Sequence, residues 1–250
     1  LLCFRVAAAM VHHHGTVHGC HSRGSAPWKT GPNTVKDTAV ANAKAVKVKA
    51  ESDDVRVAAA GNISASGKVA LGGVVAYNDV GGASSGTENA KQKTRAALVS
   101  TTLTNVKNGT VTVKAADNST LTTVGVGVGG AGKVAVQGAA ATSLVNKAVS
   151  AEVKDSSIDK DEDKAAVVSV QATSNSEINS TAVVGAGSGT FAGGAGVAVN
   201  RINQDTETAV SDSTLQGKST TVQATGNRLS HLWAWVRLPR VRSPLLVTSP

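Results

Sequence analysis

Residues 111–146 read VTVKAADNSTLTTVGVGVGGAGKVAVQGAAATSLVN, and this stretch decides the fold. It opens with the alternation Val111-Thr112-Val113-Lys114-Ala115, whose period of two is typical of a half-buried strand. The polar residues that follow predict a turn. A run of Val, Gly and Ala comes next, and such small side chains allow two backbones to approach closely. The stretch therefore indicates β structure built with little side-chain bulk.

The same stretch is repeated along the chain, which predicts a stacked architecture. Its opening alternation recurs as VKVKA, VTVKA, VSVQA and TTVQA, ending at Ala50, Ala115, Ala172 and Ala224. The spacings between these alanines are 65, 57 and 52 residues. We place the repeat units at about 46–110, 111–167 and 168–219. Repeats of variable length around a constant pattern are typical of solenoids, where insertions lie in loops.

The composition favours a parallel β-helix over a compact globule. Aromatic residues make up 2% of the chain, and a core of Val and Ala buries little area at about 25 cal/mol per Å². A stacked repeat avoids this weakness because each unit buries its faces on its neighbours. We therefore predict an all-β fold over residues 34–227, a parallel β-helix (β-solenoid) in which each unit forms two or three coils of about 20 residues.

Glycines support this fold and also leave an alternative open. Small residues at Gly125, Gly127, Gly129 and 193–196 are expected to permit tight packing in a thin core. The alternative is an antiparallel β-sandwich or meander. In that fold, residues 129–132 would form a hairpin turn between strands 124–128 and 134–136.

The composition changes sharply near residues 34 and 227. All five Pro, both Cys, the single Met, all three Trp and all six His lie outside 34–227, whereas all seventeen Asp and Glu lie inside. Eighteen Lys and Arg lie inside, which gives this region a net charge of +1 and leaves +7 of the total +8 to the ends. We predict that 1–33 is a disordered or foreign segment and that 228–250 is a disordered basic tail.

These features also bear on partners. The positive charge belongs to the ends, so we predict no nucleic-acid partner for the folded region. No apolar run reaches about 18 residues, and no transmembrane segment is predicted.

Three motifs match known site patterns in part, and we predict no catalytic, cofactor-binding or metal site from them. Gly125-x-Gly127-x-x-Gly130 matches a dinucleotide pattern, but the mechanism needs a helix where Lys133-Val134-Ala135-Val136 predicts a strand. Asp159-x-Asp161-x-Asp163 lacks the Gly and Glu of an EF-hand loop, which leaves a looser calcium site or a solvated loop. The cluster of His12, His13, His14, His18, His21 and Cys20 fits no standard zinc spacing.

The repeat resembles the passenger repeats of leukotoxin-type filamentous adhesins, which are haemagglutinin-like proteins of bacterial outer surfaces. The resemblance covers 34–227. The residues that carry it are VTVKA at 111–115, VGVGVGG at 124–130, AGVAVN at 195–200, and the boxes DSSI at 155–158 and DSTL at 212–215. It implies a β-helical passenger structure, export to the outer surface, and adhesion to or toxicity toward host cells.

The expected function is therefore attachment. On this interpretation the chain is a fragment of a secreted or surface-exposed repeat adhesin, with host cell surface or extracellular matrix as its partner. The first alternative is a cytotoxin segment that acts on host cell membranes. The second is a polysaccharide-acting β-helix enzyme. The absence of His and Trp from 34–227 disfavours an enzyme, because sugar-stacking rings and a common general base are missing. We predict no enzymatic activity and no cofactor.

Overall fold

A computed structural model of the chain shows only β structure in the residues that it describes. These are 16–18, 33–41, 43, 45–81, 91–106, 109–158, 166–227, 232–236, 240–241 and 245–248. The strands are β1 (Thr16–His18), β2 (Asn33–Lys36), β3 (Ala39–Ala41), β4 (Ala45–Ser66), β5 (Val69–Val80), β6 (Gln92–Val99), β7 (Thr102–Thr104), β8 (Thr110–Ala131), β9 (Val134–Lys154), β10 (Ser157–Ile158), β11 (Ala166–Ser188), β12 (Phe191–Ser211), β13 (Thr214–Leu215), β14 (Gly217–Asn227), β15 (Leu232–Val236), β16 (Arg240–Val241) and β17 (Leu245–Thr248).

The strands form three sheets, and neighbours within each sheet run parallel. Sheet A has the order β1-β4-β8-β11-β14-β17, and sheet C has the order β3-β7-β10-β13-β16. Sheet B has the order β2-β6-β9-β12-β15, with β5 also beside β9. The chain visits A, B and C in turn, so coil 1 is β4–β7, coil 2 is β8–β10 and coil 3 is β11–β13. The predicted parallel β-helix is confirmed, and the antiparallel sandwich or meander is wrong.

Each repeat unit forms one coil. Val46 pairs with Val111 and Val111 pairs with Val168, so the register follows the repeat spacings of 65 and 57 residues. The prediction of two or three coils per unit is wrong because the strands of sheets A and B reach 23 and 21 residues. We predicted a turn in the polar segment after Ala115, and this prediction is wrong. The segment continues strand β8 and points alternate side chains inward.

The chain reverses at Gly132 and Lys133, but not in a hairpin. Strand β8 belongs to sheet A and β9 belongs to sheet B, so the two strands face each other instead of sharing a hydrogen-bonded ladder. The backbone N–H of Gly132 donates to the carbonyl of Ser66 (3.1 Å), which stacks this turn on the turn of coil 1. The hairpin turn that the alternative fold placed at 129–132 is therefore wrong, although Gly132 does lie where the chain reverses.

The corner between sheets B and C repeats in every coil. It is made by a residue with positive φ, at Asp37 (51°), Ser100 (49°), Asp155 (49°) and Asp212 (48°). Asp is among the residue types that tolerate this left-handed conformation. A buried Ser or Thr follows each corner residue. The N–H of Thr101 donates to Ser156 Oγ (3.1 Å), and the N–H of Ser156 donates to Ser213 Oγ (3.1 Å). The DSSI and DSTL boxes are therefore corners, and DTAV at 37–40 and STTL at 100–103 are their relatives.

The main apolar core lies at this corner end of the coils. Val111, Val113 and Ala115 of β8 face Val149, Ala151 and Val153 of β9, and a third wall comes from sheet C. That wall is the buried column Val40, Leu103, Ile158 and Leu215. A smaller cluster, Val80, Leu121 and Val145, lies further along the coils. Stacking places equivalent aliphatic residues on one another, which explains the repeated alternation in the sequence.

We call residues 55–80, 120–145 and 177–202 the distal half, since they lie in register beyond the apolar core. In this half, glycines at inward positions allow the backbones of the two long sheets to approach closely. A Cβ on Gly125 would lie 3.0 Å from the Ala140 carbonyl oxygen, and one on Gly127 would lie 3.0 Å from that of Gly138. A Cβ on Gly196 would lie 3.2 Å from the Ala182 carbonyl oxygen. The predicted packing role is confirmed for these three glycines. Gly193 instead takes an outward register position beside Phe191.

The structure describes only part of the two ends. Strand β1 pairs with β4, while β15, β16 and β17 continue sheets B, C and A beyond residue 227. The remainder of the segments 1–33 and 228–250, for which we predicted disorder, lies outside the described residues, apart from Asn33 in β2.

Candidate functional site

Polar side chains cross the interior of coils 1 and 2 between the two apolar clusters. They occupy inward positions of the alternating strands, where all but the half-buried Gln92 are buried. We call them the polar layer: Ser52, Asp54, Gln92, Thr94, Asp117, Ser119 and Lys147. The register stacks Ser52 on Asp117, Asp54 on Ser119, and Gln92 on Lys147. Two long sheets in fixed register thus bring residues separated by up to 95 positions into one buried group.

Lys147 is the centre of the polar layer. Its side chain is fully buried, and its Nζ donates to Asp117 Oδ1 (2.7 Å), to Asp54 Oδ2 (3.2 Å) and to Ser119 Oγ. These three acceptors match the three protons of an ammonium group. A buried ammonium is tolerated only when it is paired and hydrogen-bonded, and this one is.

The carboxyl groups have further donors. Thr94 Oγ1 donates to Asp117 Oδ2 (3.3 Å), and Ser119 Oγ donates to Asp117 Oδ1 (3.2 Å). Gln92 Nε2 donates to Asp54 Oδ2 (2.8 Å) and to Ser52 Oγ (3.2 Å). Asp117 is thus held in place by side chains of sheets A and B, and Asp54 by side chains of sheet B.

The charge balance of the polar layer favours a neutral carboxyl. Burial raises the pKa of Asp117 above its ordinary value, Lys147 opposes this, and the nearby Asp54 carboxylate raises it again. Two ionised carboxylates against one ammonium would leave a net negative charge in the interior, which is costly in a low dielectric. Protonation of Asp117 leaves one carboxylate against one ammonium.

Coil 3 lacks these charges. Its residues in the same register are Ser174, Ser176, Gln204 and Thr206, which are buried and uncharged. The Ser174 and Thr206 hydroxyls and both amide atoms of Gln204 have no hydrogen-bond partner among the residues that the structure describes. The ionic group is therefore specific to coils 1 and 2 among the described coils.

The polar layer was missed from the sequence. The sequence does carry a signal for it, in the spacing along each strand. Asp117 lies four residues from the core valine Val113, and Lys147 lies two residues from the core valine Val149. An unbroken strand would therefore turn both side chains inward. Our prediction of a turn after Ala115 hid this signal.

The motifs considered in the sequence have different outcomes. Gly125, Gly127 and Gly130 all lie in strand β8, the first two facing inward, and no helix follows in the described residues. This geometry excludes a pyrophosphate cradle. The Asp159, Asp161 and Asp163 loop lies outside the described residues, as do the side chains of the histidine cluster and Cys20. Within the described residues, no group of three or more His, Cys, Asp or Glu is arranged to hold a metal ion.

The distal half presents a second feature, on its outside. Its outward positions carry aliphatic residues that are strongly exposed, among them Val57 (70%), Ile63 (86%), Leu71 (70%) and Val75 (69%). Between 57–78, 122–143 and 179–200 the only charged residues are Lys68 and Lys133, and both lie in turns. We call these outward positions of sheets A and B the uncharged faces.

The described part of the chain contains no helix with the length and hydropathy needed to cross a bilayer. Comparison of the chain with protein-family models, with curated proteins and with solved structures finds no match.

Proposed function

We propose that this chain is a segment of a secreted, surface-exposed adhesin that attaches to host cell surface or extracellular matrix through its uncharged faces. The observation that carries the proposal is the exposure of Val57 and Ile63 on the uncharged face of sheet A, and of Leu71 and Val75 on that of sheet B. Contiguous exposed aliphatic patches on proteins commonly mark interaction sites. The resemblance to filamentous adhesin repeats supports the extracellular setting.

The physical contrast between the two sides of the distal half supports a binding role. Glycine, alanine, serine and threonine fill most of its interior positions, while valine, isoleucine and leucine occupy many outward positions. Hydrophobic burial within the chain would favour the opposite arrangement. Outward aliphatic side chains therefore contribute little to folding and are available to a partner. We propose a binding and not a catalytic role for this surface.

The backbone favours a protein partner over a membrane interior. Residues 176–188 of β11 and 191–205 of β12 pair with a neighbour on one side only among the described strands. Unpaired N–H and C=O groups cost several kcal/mol each in hydrocarbon, as an order of magnitude. Insertion of this edge into a bilayer is therefore disfavoured, and the cytotoxin alternative ranks below adhesion.

The proposal is tested by retention of the full chain on immobilised matrix proteins and on cultured cells. The variant Val57→Thr/Ile63→Thr/Leu71→Thr keeps strand propensity but removes aliphatic surface. We expect its retention to fall at least about tenfold, since each lost contact contributes on the order of 1 kcal/mol. The matched control is Val167→Thr, which changes an exposed valine (41%) outside the distal half. Its retention should equal that of the parent.

Two outcomes would contradict the proposal. Equal retention of the triple variant and the parent would remove the uncharged faces from the binding site. A second arm uses vesicles of phosphatidylcholine and phosphatidylserine. Binding to these vesicles as strong as binding to cells, with leakage of a trapped dye, would favour the cytotoxin alternative.

A further inference from the structure

Lys147 and Asp117 form a pair with reactive geometry. The Lys147 Nζ lies 2.7 Å from Asp117 Oδ1, and both side chains are fully buried. Ala115 and Val149 flank the pair toward the corner end, and Leu121 and Val145 flank it toward the distal half. An amine and a carboxyl group are thus held in contact, away from bulk water, on two different sheets.

The surroundings of the pair supply the groups that amide formation requires. Thr94 and Ser119 donate to the two Asp117 oxygens at 3.3 and 3.2 Å, where they would stabilise negative charge developing on the carboxyl group. Asp54 Oδ2 lies 3.2 Å from the Lys147 Nζ and is placed to accept its proton. Burial raises the pKa of Asp117, which favours the neutral acid, the form that an amine can attack.

We infer that Lys147 and Asp117 become joined by an intramolecular amide bond between Nζ and Cγ. The Lys147 ammonium first gives one proton to the Asp54 carboxylate. The neutral Nζ then attacks Cγ of the protonated Asp117 carboxyl, and the N–C bond forms. A second nitrogen proton passes to the departing hydroxyl, the C–O bond breaks, and one water molecule leaves. The products are the amide, water and protonated Asp54, so atoms and charge balance without any further reactant.

The fold favours this step for two reasons. Fixed contact between the reacting groups replaces a bimolecular encounter, and good positioning gives effective molarities of about 10⁵–10⁸ M. The amide also removes an ammonium and an acid from the interior, where ionised groups are costly. The new bond would tie β8 to β9, and therefore sheet A to sheet B, within coil 2. The inference is independent of the proposed adhesion.

The first test is the intact mass of the purified full chain, which should be lower than the sequence mass by one water molecule. Trypsin cleaves after Lys and Arg, so an unreacted chain gives the separate peptides 115–133, 134–147 and 148–154. The amide blocks cleavage at Lys147. We therefore expect one branched species in which 134–154 is joined to 115–133, with fragmentation placing the link at Lys147 and Asp117. A parent chain with the full sequence mass and separate peptides would overturn the inference.

Variants assign the roles. Lys147→Arg should abolish the mass deficit, because a guanidinium does not lose its proton under these conditions. Asp54→Asn should lower the linked fraction at least tenfold in freshly expressed protein. Its control is Asp53→Asn, the adjacent outward residue, which should leave the linked fraction unchanged. A linked fraction in Asp54→Asn equal to the parent's would refute the role of Asp54. Far-UV circular dichroism confirms folding of each variant, and the parent's mass decides the inference independently.

Discussion

At the scale of single residues, large and small side chains alternate between the facing sheets of the distal half. In coil 1, Asn62 of sheet A faces Gly72 of sheet B, and in coil 3 Val184 faces Gly194. Coil 2 has the reverse order, with Gly127 in register with Asn62 and Val184, and Gln137 in register with the two sheet B glycines. The sequence predicted that these glycines permit close packing. It did not show which large side chain each glycine accommodates, because that depends on how two sheets face each other.

Gly127→Val is expected to destabilise the protein by about 1–3 kcal/mol through overpacking. The added Cβ would lie 3.0 Å from the Gly138 carbonyl oxygen, near the Gln137 side chain. Urea unfolding measures the change as a lower midpoint. The double variant Gly127→Val/Gln137→Gly copies the arrangement of coil 3 and should recover a large part of the loss. Gly130→Val is the control, since a Cβ there meets nothing within 4 Å. Equal losses for Gly127→Val and Gly130→Val would contradict the packing explanation.

At the scale of elements, the corner between sheets B and C is built in the same way in each described coil. The aliphatic residue of each box, such as Ile158 or Leu215, is fully buried, and the hydroxyl residue two positions before it links one corner to the next. The sequence revealed two of these boxes through DSSI and DSTL. The corners at Asp37 and Ser100 were missed because DTAV and STTL share only the pattern of a turn residue, a hydroxyl and an aliphatic side chain. Three-dimensional register makes the four equivalent.

Ser156→Ala is expected to cost about 1–3 kcal/mol, because it leaves a buried backbone N–H without its acceptor. Ser156 Oγ accepts from the N–H of Thr101 (3.1 Å) and donates to the Lys154 carbonyl (2.8 Å). The change is measured as the free energy of unfolding in urea. Ser157→Ala, at the next and less buried position, should change stability by less than about 0.5 kcal/mol. A loss for Ser157→Ala as large as that for Ser156→Ala would show that the hydrogen bond from the Thr101 N–H to the Ser156 hydroxyl is not the cause.

At the scale of the whole molecule, the sequence predicted the parallel solenoid and the stacking of its units, because in-register repeats leave periodic alternation. It failed on the size of a coil. Asp117 and Ser119 resemble turn residues, yet they lie inside a strand because partners in sheets A and B satisfy them. Burial of a charge depends on residues such as Lys147 and Asp54, which are far apart in sequence. Local pattern therefore could not distinguish a polar layer from a turn.

Hydrogen exchange should distinguish the coils of the distal half. Residues 120–131 and 134–145 of coil 2 pair with strands on both sides, whereas 55–66 and 191–202 pair on one side among the described strands. Since successive N–H groups of a strand point to opposite neighbours, one-sided pairing protects about every second amide. Mass spectrometry of exchanged peptides should show slower exchange in coil 2. Uniform exchange across the three coils would indicate further pairing at these edges.

One coil per unit has a consequence for how such a protein grows. A coil of 57 residues raises the stack by only about 4.8 Å, the spacing of neighbouring strands, while its 22-residue strand runs about 70 Å across. Duplication of a unit therefore widens each outer face by a single strand and lengthens the stack by the same small step. A protein assembled in this way becomes a broad slab before it becomes a long rod, because each added unit contributes far more strand length than stack height.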